Sequence, residues 1–249
     1  MNKIIKHSIK VLGIIPAATA GVAIFNALNR KSDEEVGHEQ KFYEKYAKRP
    51  IDFLCASSAV VVLSPIMICT AIEVRRKLGS PVIFKQDRPG RDEKIFRLFK
   101  YRTMTDERDG NGKLLPDAVR LTKFGHFLRS TSLDELPELF NIIKGDMSVI
   151  GPRPLAVQYL PYYNETERQR HSVRPGLSGL AQVNGRTSAS WDDRFKLDVE
   201  YVNNITFLGD IKLVFQTLLK VFKRADIVEA GSQGDFDKYR IRQLQEAQS

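Results

Sequence analysis

From Ile51 to Ile72 the chain carries a single charge, Asp52, and this apolar run limits its possible folds more than any other feature. At about 1.5 Å per helical residue it is long enough to cross a hydrocarbon core of roughly 30 Å. Ser64-Pro65 stands near its middle, where proline removes a backbone donor and favours a kink. Cations bracket the run on both sides, Lys45, Lys48 and Arg49 before it and Arg75, Arg76 and Lys77 after it. A single crossing would put one of these clusters outside, against the tendency of positive charge to stay on the cytoplasmic side. The favoured reading is therefore a re-entrant helix hairpin, broken at Ser64 and Pro65, that enters one leaflet and returns. A straight transmembrane helix with Pro65 as a tolerated kink is the rival. Asp52, three residues after Arg49, is expected to pair with it at the membrane edge.

A chain of 249 residues has enough length for one domain with a real core. Its formal charge of +9 calls for an acidic partner such as anionic lipid, a phosphorylated substrate or nucleic acid. The two cysteines, Cys55 and Cys69, both fall inside the apolar run, which excludes a disulfide framework or a zinc-ligand spacing. They are expected as small hydrophobes.

The chemistry concentrates between Arg129 and Pro154. Asp134 and Glu135 are adjacent acids just before Pro137, with Arg129, Lys144 and Arg153 around them in sequence. Asp134 reads as an N-cap with Pro137 in the first helical turn; Ser132 and Glu135 alternatively form a capping box. Capping and catalysis are compatible, because a helix N-terminus attracts anions. A carboxylate there can attack phosphorus while its neighbour holds Mg²⁺.

The motifs SLDELPEL, GDMSVIGPRPL and RPGLSGLAQVNGR, with KRPIDF and FKYRTM upstream, resemble the bacterial sugar transferase family, the monotopic phosphoglycosyl transferases that start lipid-linked glycan assembly. The likeness runs from about Lys48 to Arg224. It implies that a nucleotide diphospho-sugar, usually a UDP-sugar, binds with Mg²⁺ and that Asp134 attacks the sugar-linked phosphate, expelling UMP. Polyprenyl phosphate then accepts the phosphosugar. Glu135 matches the family's metal-binding acid, and Lys100, Arg129 and Arg153 match positions that face phosphates. The resemblance also implies the re-entrant hairpin and a place at the cytoplasmic face of a bacterial inner membrane. Membrane lipid is then a partner, nucleic acid is not expected, and a homodimer is compatible with the plan. Two rival readings differ in mechanism or class. In one the lipid phosphate attacks directly, with Asp134 as base or metal ligand; in the other the protein is a basic membrane adaptor without activity.

The expected fold is α+β, mostly helical, with a small β-hairpin. Residues 1–47 form an N-terminal extension, with an apolar segment at 11–28 that spans the membrane, lies on it or is cleaved. Residues 48–78 form the membrane helix, 79–225 the catalytic domain and 226–249 a polar tail. Pro81 to Gln86 and Ile95 to Arg102 read as strands joined through Asp87-Arg-Pro-Gly90, delivering Lys100 and Arg102. Asp106 to Pro116 reads as a polar loop turning at Gly110-Asn-Gly112. Leu160-Pro-Tyr-Tyr163 suits a headgroup layer or a core equally well. Thr206 to Arg224 reads as an amphipathic helix for a lipid surface or the core. Arg174-Pro-Gly176, Gly185-Arg186 and Trp191 are candidate nucleotide contacts, with turn chemistry and packing as their alternatives.

Overall fold

The computed structural model describes residues 40–184, 190–223 and 235–246. The apolar segment 11–28, the Gly185-Arg186 pair and Arg224 lie outside the described residues. The architecture is α+β and mostly helical, with two small two-stranded sheets.

Helix α1, Lys48–Leu78, is 31 residues long and follows a π-helical turn at Tyr43–Ala47. Among the described residues this is the one helical stretch long and apolar enough to cross a membrane. Ser64 and Pro65 do not break it, which corrects the expected interruption. Pro65 has no N–H to donate to the carbonyl of Val61, four residues back. The Ser64 hydroxyl donates to that same carbonyl oxygen at 2.8 Å, so the acceptor that proline would leave free is satisfied. Along α1, Asp52, Ala56, Met67, Thr70, Val74 and Leu78 are buried, with Ala59, Val60 and Leu63 half-buried between them. This three-to-four spacing continues across Pro65 and forms one helical stripe. The earlier half packs with Phe96, Leu98, Leu139, Ile142 and Met147, and the later half with Tyr101 and Leu128. Leu54, Val61, Val62, Ile68 and Ile72 stay exposed. Cys55 and Cys69 are free and exposed, as small apolar residues of this helix.

The expected β-hairpin is present. Strand β1, Ile83–Pro89, pairs antiparallel with β2, Ile95–Tyr101, Ile83 opposite Tyr101 and Arg88 opposite Phe96. The turn lies later than expected, between Gly90 and Lys94, closed by the Gly90 N–H donating to the Lys94 carbonyl at 2.9 Å. Pro89 is accommodated at the strand's end, where no ladder donor is needed. The polar loop turns where expected: Asp109 Oδ1 accepts from the N–H groups of Asn111 and Lys113, each at 2.9 Å.

Helices α2, Lys123–Ser130, and α3, Glu138–Lys144, follow. Asn141 of α3, 0% exposed, accepts from the Phe99 N–H at 3.0 Å and donates to the Arg97 carbonyl at 2.7 Å. Its amide thereby takes the place of a further strand on the open edge of β2. The C-terminal carbonyls of α3, Ile142 and Ile143, accept from Arg49 at 2.7 and 2.8 Å, so Arg49 does not pair with Asp52. Asp52 accepts instead from the Ser148 hydroxyl at 2.6 Å and the Val149 N–H at 3.1 Å. The two adjacent carbonyls match the two terminal nitrogens of the Arg49 fork, while Asp52 is occupied by β3.

Strand β3, Ser148–Ile150, pairs in parallel with β4, Gly176–Ser178. The two motifs GDMSVIGPRP and RPGLSG are thus one structural unit. A Cβ on Gly176 would sit 2.1 Å from the Gly151 nitrogen, so only glycine permits this approach.

Helices α4, Trp191–Asn203, α5, Phe207–Lys223, and α6, Phe236–Glu246, complete the fold. Tyr159, Tyr162, Tyr163, Trp191, Phe195 and Phe236 form one aromatic core. Of the two readings of residues 160–163 the core one holds, and Trp191 is a packing residue. Residues 226–249 are not simply a polar tail: α6 buries Phe236 in this core, and Tyr239 donates to Asp192 at 2.7 Å. Helix α5 turns Leu213 inward and leaves Phe207, Leu208, Phe215, Leu218 and Leu219 exposed. At its start Asp210 pairs with Lys48 at 2.5 Å and accepts from Tyr43 and Tyr201, each at 2.9 Å, which ties α5 to the beginning of α1.

Candidate active site

The acidic dyad lies on the connection between α2 and α3. Ser132 adopts left-handed backbone, φ 55°, and Leu133–Glu135 form one 3₁₀ turn. Neither capping reading holds. The Ser132 side chain makes no capping bond, Asp134 lies inside the turn, and Pro137 is the residue that precedes α3.

Three cations reach this turn from separate elements. Strand alternation puts Lys100 on the same face of β2 as Phe96 and Leu98, towards the start of α3. Its Nζ lies 2.7 Å from Glu135 Oε1 and 3.2 Å from Glu138 Oε1. Arg153 arrives on the loop after β3 and donates to the same Glu135 oxygen at 2.5 Å. That loop is held by the Arg170 guanidinium, which donates to the Arg153 carbonyl at 2.7 Å and is itself paired with buried Asp198 at 2.8 Å. Arg129, at the end of α2, donates to the Thr103 hydroxyl at 3.2 Å and adds its positive field to Asp134.

The same surroundings treat the two acids in opposite ways. Asp134, 7% exposed, has its pKa raised to about 6, first by burial and second by the charge of Glu135, against the pull of Lys100, Arg153 and Arg129. Burial would raise Glu135 too, yet Arg153 and Lys100 outweigh it and hold this carboxyl well below the usual range. Glu138 is a third acid, 2% exposed, raised to about 7 by burial and then by Glu135. It is within ion-pair distance of Lys100, but its Oε1 has no hydrogen bond. One oxygen of Glu135 thus takes the full geometry of Lys100, and Glu138 the remainder.

Lys100, Arg129, Arg153, Asp134 and Glu135 therefore converge. Lys144 does not join them; it pairs with Asp146 at 3.0 Å at the far end of α3. Arg102 turns away to Asp106 at 2.8 Å, and Arg174 donates to the Gly145 carbonyl at 2.9 Å. Among the described residues no group of three or more His, Cys, Asp or Glu side chains is arranged to hold a metal alone. Mg²⁺, however, commonly takes one or two carboxylates and completes its shell with water and substrate phosphates. The hard oxygens of Asp134 and an ionised Glu135 fit that donor set.

The family model described as bacterial sugar transferase matches residues 43–224. The chain belongs to the bacterial sugar transferase family. The matched sugar transferase segment runs from the π-helical turn before α1 to just beyond α5, and so includes all of the converging residues. A protein of Bacillus subtilis (strain 168), named uncharacterized sugar transferase EpsL, is 52% identical over 174 residues, 70% of this chain and 86% of that protein. The UDP-glucose:undecaprenyl-phosphate glucose-1-phosphate transferase of Escherichia coli (strain K12) is 39% identical over 187 residues, covering 70% of this chain and 40% of that one. A UDP-N-acetylgalactosamine-undecaprenyl-phosphate N-acetylgalactosaminephosphotransferase of Aeromonas hydrophila is 36% identical over 184 residues, 70% and 43% respectively. This sugar transferase thus spans less than half the length of the latter two relatives.

Sequence reasoning missed Glu138 and Asn141. Glu138 follows Glu135 by three residues in the same motif, a spacing that puts both on one side of a helical turn and was available as a signal. Nothing local announces that Asn141 serves a strand edge more than 40 residues away in the chain.

Proposed function

We propose that this sugar transferase moves a phosphosugar from a nucleotide diphospho-sugar, a UDP-sugar, to polyprenyl phosphate through a covalent intermediate on Asp134. The observation that carries the reading is the asymmetric dyad: a buried Asp134 beside a Glu135 clamped by Lys100 and Arg153. In the first step an Asp134 oxygen bonds to the sugar-linked phosphorus, and the bond from that phosphorus to the bridging oxygen breaks. UMP departs with the electron pair. In the second step an oxygen of polyprenyl phosphate attacks the same phosphorus and the aspartyl–phosphorus bond breaks, giving polyprenyl diphosphate sugar and free Asp134. Lys100, Arg129 and Arg153 are preplaced for charge developing on the phosphate oxygens, so little reorganisation is needed during transfer. Glu135, with Asp134 beside it, would hold Mg²⁺, which neutralises diphosphate charge when bound. The names of the Escherichia coli and Aeromonas hydrophila relatives support this substrate class.

The enzyme is read as monotopic, seated at the cytoplasmic face of a bacterial inner membrane. Both halves of α1 pack against the same folded body, which cannot lie on both sides of a bilayer. The cation clusters at its two ends support the same seating. The exposed apolar faces of α1 and α5 would meet the lipid.

The deciding experiment incubates purified enzyme with a UDP-sugar panel and Mg²⁺ but no lipid acceptor. Expected are UMP release close to one equivalent and a phosphosugar mass adduct on the peptide containing Asp134. Asp134→Asn should form no adduct and lose at least about a thousandfold in turnover. UMP release that requires acceptor and leaves no adduct would replace the covalent route by direct attack of the lipid phosphate.

A further inference from the structure

One cation beside the site has no counter-charge among the described residues. Arg88 stands opposite Phe96 in the hairpin, so it shares a sheet face with Phe96, Leu98 and Lys100. Its successors Pro89 and Gly90 line a cleft together with Pro152, Arg153 and Pro154. One guanidinium nitrogen donates to the neutral Gln86 amide oxygen at 2.7 Å, and the Nε is buried with no acceptor. No carboxylate of the described residues lies within ion-pair distance of it. The two nearby acids, Glu135 and Glu138, are already shared by Lys100 and Arg153. After burial, the like charge of Arg153 is the strongest influence lowering the Arg88 pKa.

A partly desolvated guanidinium in the field of another cation is unfavourable unless an anion completes the arrangement. No acid of the described residues supplies that anion, and the proposed reaction brings phosphates to this site. We propose that Arg88 is a further phosphate-binding residue, its guanidinium acting with that of Arg153 on one phosphate oxyanion of a substrate. The inference rests on the phosphoryl-transfer reading and deepens it. The oxyanion is either the diphosphate of the nucleotide sugar or the monophosphate of the lipid acceptor, and the experiment separates the two.

Arg88→Gln removes the charge and keeps much of the length; Arg88→Lys keeps the charge and loses the fork. Thermal shift with inorganic pyrophosphate gives a readout that needs no turnover. Arg88→Gln should leave the unliganded melting temperature unchanged or higher, since a half-buried cation without an acidic partner is removed, and weaken pyrophosphate about tenfold or more. Arg88→Lys should fall between. If KM for the UDP-sugar in acceptor-free UMP release rises alongside, the donor diphosphate is the ligand. If only KM for polyprenyl phosphate rises, it is the acceptor. A lowered unliganded melting temperature with unchanged pyrophosphate affinity would make Arg88 a structural partner of Gln86 and overturn the proposal. Because pyrophosphate binding is independent of chemistry, an Asp134→Asn enzyme that stayed active would sink the covalent reading and leave this result legible.

Discussion

Asp134 meets opposed demands: attack on phosphorus needs the carboxylate, whereas the buried turn around it favours the neutral acid. With the folded pKa near 6 and the ordinary value at 3.8, the native protein holds this proton while the unfolded chain loses it. Between those two values the folded state binds more protons, so this group's contribution to stability falls as pH rises, and levels off above about pH 6. The difference corresponds to about 3 kcal/mol of native-state destabilisation at neutral pH. Asp134→Asn should therefore raise the melting temperature at pH 7.5 by several degrees, with the gain vanishing towards pH 4. Differential scanning calorimetry of both proteins across that pH range measures it. A gain that persisted at pH 4 would mean that packing, not ionisation, is responsible. The acid limb of the parent's kcat/KM should rise through about pH 6, the same carboxyl ionising in the free enzyme. Adjacent acids among cations were visible in the order of residues. Which of them is clamped and which left raised was not, because Lys100 and Arg153 reach Glu135 from 35 and 18 residues away.

Elements followed local rules wherever local partners sufficed. The bounds of α1, Lys48–Leu78, coincide with the apolar run plus its cationic flanks. The hairpin formed from the β-prone runs, displaced only at a turn where Pro89 could close a strand. Pro65 does not end the helix, and the residue before it supplies a donor to the carbonyl that proline leaves free. That account makes a coupled prediction. Ser64→Ala should cost about 1 kcal/mol with Pro65 present, since the Val61 carbonyl then loses the hydroxyl that replaces the missing N–H. In a Pro65→Ala background, where residue 65 again carries an N–H, the same change should cost close to nothing. Unfolding of the four proteins in one detergent closes the double-mutant cycle. Equal costs in both backgrounds would show that the hydroxyl acts independently of the proline.

At the scale of the whole molecule, α6 closes the aromatic core from a stretch that reads as an uninformative tail. Phe236 is 0% exposed and stacks with Tyr163 at a centroid distance of 5.2 Å, while Arg240 pairs with Glu167, 73 residues earlier. Phe236→Ala should lower stability by about 3–5 kcal/mol, read as a lower melting temperature. The asymmetric dyad lies outside that core, so turnover at low temperature should change much less than stability. A loss of activity as large as that of Asp134→Asn would instead place α6 in the catalytic machinery.

By itself the order of amino acids determined the long apolar helix, the hairpin, the acidic dyad and the three cations assigned to it through family motifs. Each of these rests on neighbours in the chain or on a motif read whole. Only the tertiary structure decided that Asp52 ties α1 to β3, that Asn141 serves a strand edge, that Glu138 shares Lys100 and that no acid of the described residues pairs with Arg88. Burial and pairing of charge are set by residues tens of positions apart, and their energies depend on how much water the assembled fold excludes, a quantity that no local pattern contains.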